Sequence, residues 1–329
     1  MKAPILEILQ CPRCAGALSL TEFEVTRGEV RTGTLTCSAN KEHGYQITDG
    51  IMFFASGFDH EAVKKEIAYE NSTYHGSDSL TDAKIIAQFP DTLPDLWPHT
   101  CNFGPDFRTL IDKLNVKPGG WVLDVGTGPC WSTRILAERG YRAIALDVND
   151  ANFYGLRTAD ILFEAHNIYF ERILESMTNL PFANETLDAI TFNASFHHTP
   201  DMEKTLVECF RVLKPGGQIA MVNEEFVSLR QRLFKNETVS DTGSHHAIGY
   251  ADFEDAVERN GFRIQYYVAD HVRKKLEEKL SPSIGGLVVK TFELLPISLK
   301  QLNSALIFLT KPGTQSAPVP ARSAEVVTT

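Results

Sequence analysis

The chain has 329 residues, 43% hydrophobic and 22% charged, a composition that fits about two folded globular domains and excludes an isolated small module or a wholly disordered chain. Lys and Arg number 32 against 42 Asp and Glu, a formal net charge of −10, which argues against a broad nucleic-acid footprint because such a surface needs a concentrated basic face. The longest apolar runs, such as Ala143 to Leu146 and Gly285 to Val289, are far short of the ~18–20 residues of a bilayer span.

The opening MKAPILEILQCPRC is interrupted by Glu7 and runs directly into a Cys-x-x-Cys, so it lacks the apolar core and cleavage site of an export signal. The chain reads as cytoplasmic, with no membrane partner. Residues 1–56 form a turn-rich unit: a helical start at Ile5 to Leu9, alternating segments at Leu18 to Val25 and Glu29 to Cys37, then Tyr45 to Ile47, an Asp49-Gly50 turn and Ile51 to Phe54. So little apolar material needs a staple. Cys11, Cys14, Cys37 and His43 supply the donors of one closed tetrahedral Zn²⁺ site of structural type. Five residues separate Cys37 from His43, where a standard second knuckle has two. Cys101, Cys130 and Cys209 are scattered and read as packing or loop residues.

Residues 57–118 read as a helical linker or lid, broken by Phe89-Pro90, Leu93-Pro94 and Trp97-Pro98, with Tyr69, Tyr74, Phe89, Trp97 and Phe103 available for packing or ligand contact. From 119 to 312 short β-branched runs alternate with helical stretches: Trp121 to Val125, Ala143 to Leu146, Ile168 to Ile173, Leu187 to Asn193, Gln218 to Val222, Phe262 to Val268 and Ala305 to Thr310. That alternation predicts an α/β domain, a seven-stranded, mostly parallel, doubly wound sheet. Leu213-Lys-Pro-Gly-Gly217 reads as a helix end and a turn into a strand, without chemistry. Residues 313–329, rich in Pro, Ala, Ser and Thr, read as a disordered tail.

The segment Trp121-Val-Leu-Asp124-Val-Gly126-Thr-Gly128-Pro-Cys130 is a buried strand entering a glycine-rich turn. Bare glycine Cα atoms let a ligand approach the backbone. Asp147 ends the next strand, 147 − 124 = 23 residues after Asp124, where a carboxylate can accept both hydroxyls of a ribose. A dinucleotide fingerprint wants a third glycine at position 131, which is Trp131, and Asp124 would repel a pyrophosphate. A nucleoside bearing a cationic amino acid suits this loop better: S-adenosylmethionine (SAM).

VLDVGTGPC, the strand end ALDVN, NLPFANETLDAITFNASFHHTPD and RVLKPGG leading into QIAMVNE, in that order, resemble the class I SAM-dependent methyltransferases over roughly residues 119–312. The first residues, together with Gly44-Tyr45 and Asp49-Gly50-Ile51, resemble the zinc-ribbon modules found alone or fused to methyltransferases. The resemblance implies a Rossmann-like fold and the cofactor-binding set Asp124, Gly126, Thr127, Gly128, Asp147, Val148, Ser176, Met177 and Asn193. Ser176 stands where the family usually has an acid, with Glu175 beside it.

On the acceptor side, His197 and His198 follow the fourth strand and are the candidate catalytic pair, with packing as the competing role. His245 and His246 read as a solvated loop pair, and Asn223, Glu224 and Glu225 end the fifth strand. The function this implies is methyl transfer from SAM to a small-molecule or saccharide-type acceptor. One alternative is an RNA base methyltransferase, against which residues 1–56 carry five basic and six acidic side chains, 5 − 6 = −1. The other is a non-catalytic SAM-binding protein whose ribbon recruits a protein partner.

Overall fold

In Trp121–Val125 (β5) every residue is buried, and alternate side chains serve two cores. Trp121, Leu123 and Val125 point to one face of the sheet and Val122 to the other, as the two-residue period of a strand requires. The computed structural model describes residues 1–55, 61, 63–65, 67–68, 82–91, 103–226, 248–294 and 305–313. The lid aromatics Tyr69, Tyr74 and Trp97, together with Cys101, His245, His246 and the 314–329 part of the tail, lie outside these residues.

Leu18–Thr26 (β1), Glu29–Cys37 (β2), Gly44–Thr48 (β3) and Ile51–Phe53 (β4) form the ribbon. Arg142–Asp147 (β6), Glu171–Leu174 (β7), Leu187–Asn193 (β8), Leu213–Val222 (β9), Arg263–Val268 (β10) and Ala305–Thr310 (β11) join β5. The α/β part therefore has seven strands, but they do not close on themselves. All eleven form one sheet, in the order β1-β2-β3-β4-β7-β6-β5-β8-β9-β11-β10. From β4 to β9 each neighbour is parallel; β11 is antiparallel to both β9 and β10.

Helices cover both faces. Met202–Val212 (α5) and Tyr250–Arg259 (α6) contribute Leu206, Cys209, Phe253 and Val257 to one core. Phe103–Asp112 (α2), Trp131–Glu138 (α3) and Ala159–His166 (α4) contribute Phe107, Leu110, Ile135 and Leu162 to the other. Ala83–Gln88 (α1), capped by Asp82, places Ile86 in that second core. Asp270–Leu280 (α7) and Pro282–Leu294 (α8) form a hairpin between β10 and β11.

Two expectations need correction. β7 begins at Glu171 and not at Ile168, since Tyr169 and Phe170 turn inward to pack on Phe163 of α4, at 5.1 and 4.8 Å between ring centroids. Leu213 to Gly217 is not a turn ahead of a strand but part of β9, which pairs with β8 before and after a bulge (Leu187 with Leu213, Ala189 with Gln218). The left-handed φ of +82° at Gly216 absorbs the extra residues.

The seam between ribbon and α/β sheet is ionic as well as apolar. Arg172 of β7 is fully buried, and its guanidinium donates to Glu29 of β2 at 2.7 Å and to Asp160 of α4 at 2.9 Å. Arg31 donates to the same Asp160 through both terminal nitrogens, at 2.9 and 3.0 Å. The Met1 ammonium donates to Val30 and Gly50 carbonyls at 2.9 and 3.1 Å. Glu171, beside it, accepts from the Lys2 amide at 3.0 Å.

Burial pushes the Glu171 carboxyl up to about 7, against the pull of the Met1 ammonium and the Lys2 N–H. A carboxyl raised in the fold binds its proton more tightly there than in the unfolded chain, so its contribution falls as pH rises from the unfolded value of 4.5 through about 7, and is flat above. Glu171→Gln is expected to remove that slope. Thermal melts of both proteins across this window check it, and identical pH profiles would contradict the assignment.

Candidate cofactor site and metal centre

The carboxyl ends of the parallel strands line one edge, where open α/β sheets bind their ligands. There β5 runs into the loop Gly126–Cys130, β6 ends on Asp147, β7 leads to Glu175 and Ser176, β8 to Ser195–His198, and β9 to Asn223–Glu225. Gly126 has φ +67°, and a Cβ there would lie 2.6 Å from the Cβ of Ser195. Only glycine lets the β5 and β8 turns approach so closely.

Asp124 is 1% exposed, and both its oxygens are engaged. Ser132 and Thr133 at the start of α3 donate to one, both at 2.6 Å, and Thr191 of β8 donates to the other at 2.8 Å. Burial raises its pKa and these three hydroxyls oppose the rise. In the described structure the Asp124 carboxylate thus ties the glycine loop to the helix that follows it. The sequence named Asp124 but not its three hydroxyl partners, which are unremarkable in a chain read linearly.

Asp147 accepts from the Gly128 amide at 2.8 Å and from the Asn149 amide at 2.9 Å, which locks the second acidic strand end to the glycine loop. Thr127 is buried, with its hydroxyl 3.5 Å from the Cys130 thiol, and Val148 is half-buried. Cys130 also takes a left-handed conformation, φ 58°, and caps α3, whereas Trp131 is helical and packs edge-on against Phe107 and Phe89.

Ser176 is buried; its amide donates to Glu175 at 2.8 Å, and its hydroxyl pairs with Thr178 at 2.8 Å. Met177 is half-buried next to them, and Glu175 is fully buried. Asn193 accepts from the Asn223 amide at 2.8 Å, which joins the ends of β8 and β9.

The rings of His197 and His198 are in contact, with centroids 4.4 Å apart and planes tilted by 38°, but they differ in setting. His197 is buried and its Nδ1 lies 2.8 Å from Glu224. The same carboxylate accepts the amides of Ser195, Phe196 and His197 at 3.0 to 3.1 Å. Burial alone would raise the Glu224 pKa, yet the imidazole and the backbone N–H groups hold it below the usual carboxylate value. Glu224 is the organising group of this corner. Its position at a strand end was visible in sequence, but its partner was not.

In the ribbon, the donor atoms of Cys11, Cys14, Cys37 and His43 all lie within 4.8 Å of one another. His43 Nδ1 is 3.4 Å from Cys11 Sγ and 3.5 Å from Cys14 Sγ, and Cys14 and Cys37 Sγ are 3.5 Å apart. These separations are close to the edges of a tetrahedron built with Zn–S of about 2.3 Å and Zn–N of about 2.0–2.1 Å. A Cβ on Gly16 would lie 2.7 Å from the Cys37 sulfur, so the knuckle closes only around glycine. Tyr45 Oη lies 3.0 Å from Cys11 Sγ and Asn40 Nδ2 lies 3.3 Å from His43 Nε2, outer partners of the kind that orient metal ligands. The residues fit Zn²⁺, with all four donors provided by protein.

Residues 123–221 match a protein family described as methyltransferase domain. The demethylmenaquinone methyltransferase of Renibacterium salmoninarum is 30% identical over 145 residues, covering 42% of this chain and 57% of that protein. Squalene methyltransferase 1 of Botryococcus braunii is 29% identical over 166 residues, covering 47% of this chain and 43% of that one. The chain spans about half the length of the first of these curated relatives. A putative methyltransferase from Bacillus halodurans of known structure overlays with a TM-score of 0.46 at 21% identity, covering 64% of this chain and all of that one.

Proposed function

We propose that this chain, whose residues 123–221 form a class I SAM-dependent methyltransferase domain, transfers the methyl group of SAM to an apolar small molecule of the quinone or isoprenoid kind. The observation that carries the reading is the junction of Gly126, Gly128 and Asp147 at the carboxyl edge, a bare backbone turn clasped by a carboxylate. Bound SAM supplies an electrophilic methyl on a sulfonium. The chain's residues supply position, which for an in-line displacement is most of the catalysis. Asp147 holds the ribose, Ser176 and Met177 frame the adenine with Val148, and Thr127 and Asn193 line the same edge.

Asp124 acts through the loop it braces. His198, half-buried after the end of β8, faces the acceptor, and His197 with Glu224 positions it. The curated relatives act, by name, on demethylmenaquinone and squalene, which favours an apolar acceptor over the saccharide type. Two of the ribbon's five basic side chains are already engaged, Lys2 over the Tyr169 ring at 4.0 Å and Arg31 by Glu29 and Asp160, which leaves Arg13, Arg27 and Lys41 exposed among six acidic residues. The zinc serves structure, since its four protein ligands leave no position for a substrate.

Asp147→Ala is expected to weaken SAM binding about ten- to a hundredfold, the worth of charge-assisted hydrogen bonds of ~1.5–3 kcal/mol. Calorimetry with SAM, and turnover assayed with demethylmenaquinol, squalene and total RNA, tests the whole reading. Unchanged SAM affinity in the variant would remove Asp147 from the site. RNA-stimulated turnover that falls steeply with salt would replace the acceptor class, and SAM binding without turnover would leave a binding protein.

A further inference from the structure

The hairpin of α7 and α8 is inserted between β10 and β11 at the same edge of the sheet as the cofactor loop: Val268 pairs with Ala305 there, and Ile307 pairs with Met221 near the end of β9. On α7, Val272 and Leu276 pack on the core, and the next residue of that stripe, Leu280, runs past it and is 40% exposed. On α8, Val289 and Phe292 face the protein while Ile284 and Leu287 face outward at 55% and 67% exposure. Of the six exposed large hydrophobic residues among the described ones, three sit on this tip. A helix apolar on both faces is normally covered on both.

The two helices pack closely near the tip: a Cβ on Gly285 would lie 2.8 Å from the Cα of Glu277, so they touch backbone to backbone. Around it Lys275, Lys279 and Lys290 are exposed, against a single exposed acid of the hairpin, Glu278. Cationic side chains beside an apolar tip, in a chain of net charge −10, match an anionic lipid surface. An exposed tip of three aliphatic side chains also suits a planar, deformable apolar phase. Among the described residues no helix is long and apolar enough to cross a membrane.

We infer that this tip is a peripheral contact for an anionic phospholipid bilayer, seating Leu280, Ile284 and Leu287 among the acyl chains with Lys279 and Lys290 at the headgroups. The inference rests on the reading of an apolar acceptor, which a bilayer would store and present to this edge. It revises the sequence expectation that the chain has no membrane partner.

The test is flotation of the full chain with vesicles of phosphatidylcholine alone and mixed with phosphatidylglycerol. The wild-type protein is expected to float, more strongly on the mixed vesicles. The double variant Ile284→Glu, Leu287→Glu is expected to partition about a hundredfold less, each side chain being worth on the order of tenfold. Lys279→Glu with Lys290→Glu is expected to lose about tenfold on the mixed vesicles and little on phosphatidylcholine. Thermal midpoint and SAM affinity, unchanged in both variants, show that folding and the cofactor site are intact.

Failure of the wild type to float, or equal flotation of the Glu variant, would overturn the inference. So would concentration-dependent self-association that the Glu variant abolishes in a protein that does not float, since the tip would then belong to a second copy. Flotation without SAM binding would leave the surface standing and sink the methyltransferase reading.

Discussion

Cys37→Ser is expected to take zinc content from about one ion per chain to well below that, and to unfold the ribbon with it. Structural zinc in small modules contributes binding free energy of ~10–16 kcal/mol that is folding free energy, and removing one thiolate of four forfeits a large part of it. The effect should reach the cofactor site. The amides of Phe54 and Ala55, directly after β4, donate to the carbonyl of Leu174 at 3.1 and 3.2 Å, one residue before the Glu175–Met177 turn. Gln10 and Ala183 join the ribbon to the far side of that same loop, through Pro181 and Ile8. SAM affinity in the zinc-free variant is therefore expected to fall along with metal content. Atomic absorption, a thermal melt and SAM calorimetry check the three parts. Full zinc retention, in this variant or in His43→Ala, would remove the substituted residue from the centre.

Arg172→Met is expected to cost about 3–5 kcal/mol, the usual penalty for breaking a buried ion pair from one side. In a chain of this size that lowers the thermal midpoint by on the order of ten degrees. The loss arises because buried Glu29 loses its nearest cation, keeping only Arg31 at 3.2 Å and the Met1 ammonium at 3.6 Å, and Asp160 loses one of its two guanidinium partners. Adding Glu29→Gln should restore part of the midpoint, since a neutral amide does not need the guanidinium. A single variant as stable as wild type in a denaturant titration would show that the pair does not hold the seam.

The α/β strands were legible because each is a short apolar run between turn residues. β5, β8 and β11 begin and end where the residues themselves change character. The cluster of Cys11, Cys14, Cys37 and His43 was legible because soft ligands are rare and crowd near the N-terminus. What remained hidden involves partners distant in sequence. Arg31 looks like one more surface cation, yet it binds Asp160, 129 residues away. Parallel pairing of β4 with β7 leaves no periodic mark on either strand. The glycine loop was visible from its two glycines, but the left-handed φ of Cys130 that follows them was not, since cysteine carries no mark of that conformation.

The continuity of the sheet also sets an order of events during synthesis. β4 leaves the ribosome long before its neighbour: 171 − 53 − 1 = 117 residues lie between the end of one strand and the start of the other. Until then the ribbon holds an unpaired strand edge open to any other chain. A nascent protein delayed in that interval is the species most exposed to edge-to-edge association, and a chain released without residues 1–55 would leave the matching edge, β7, exposed for good.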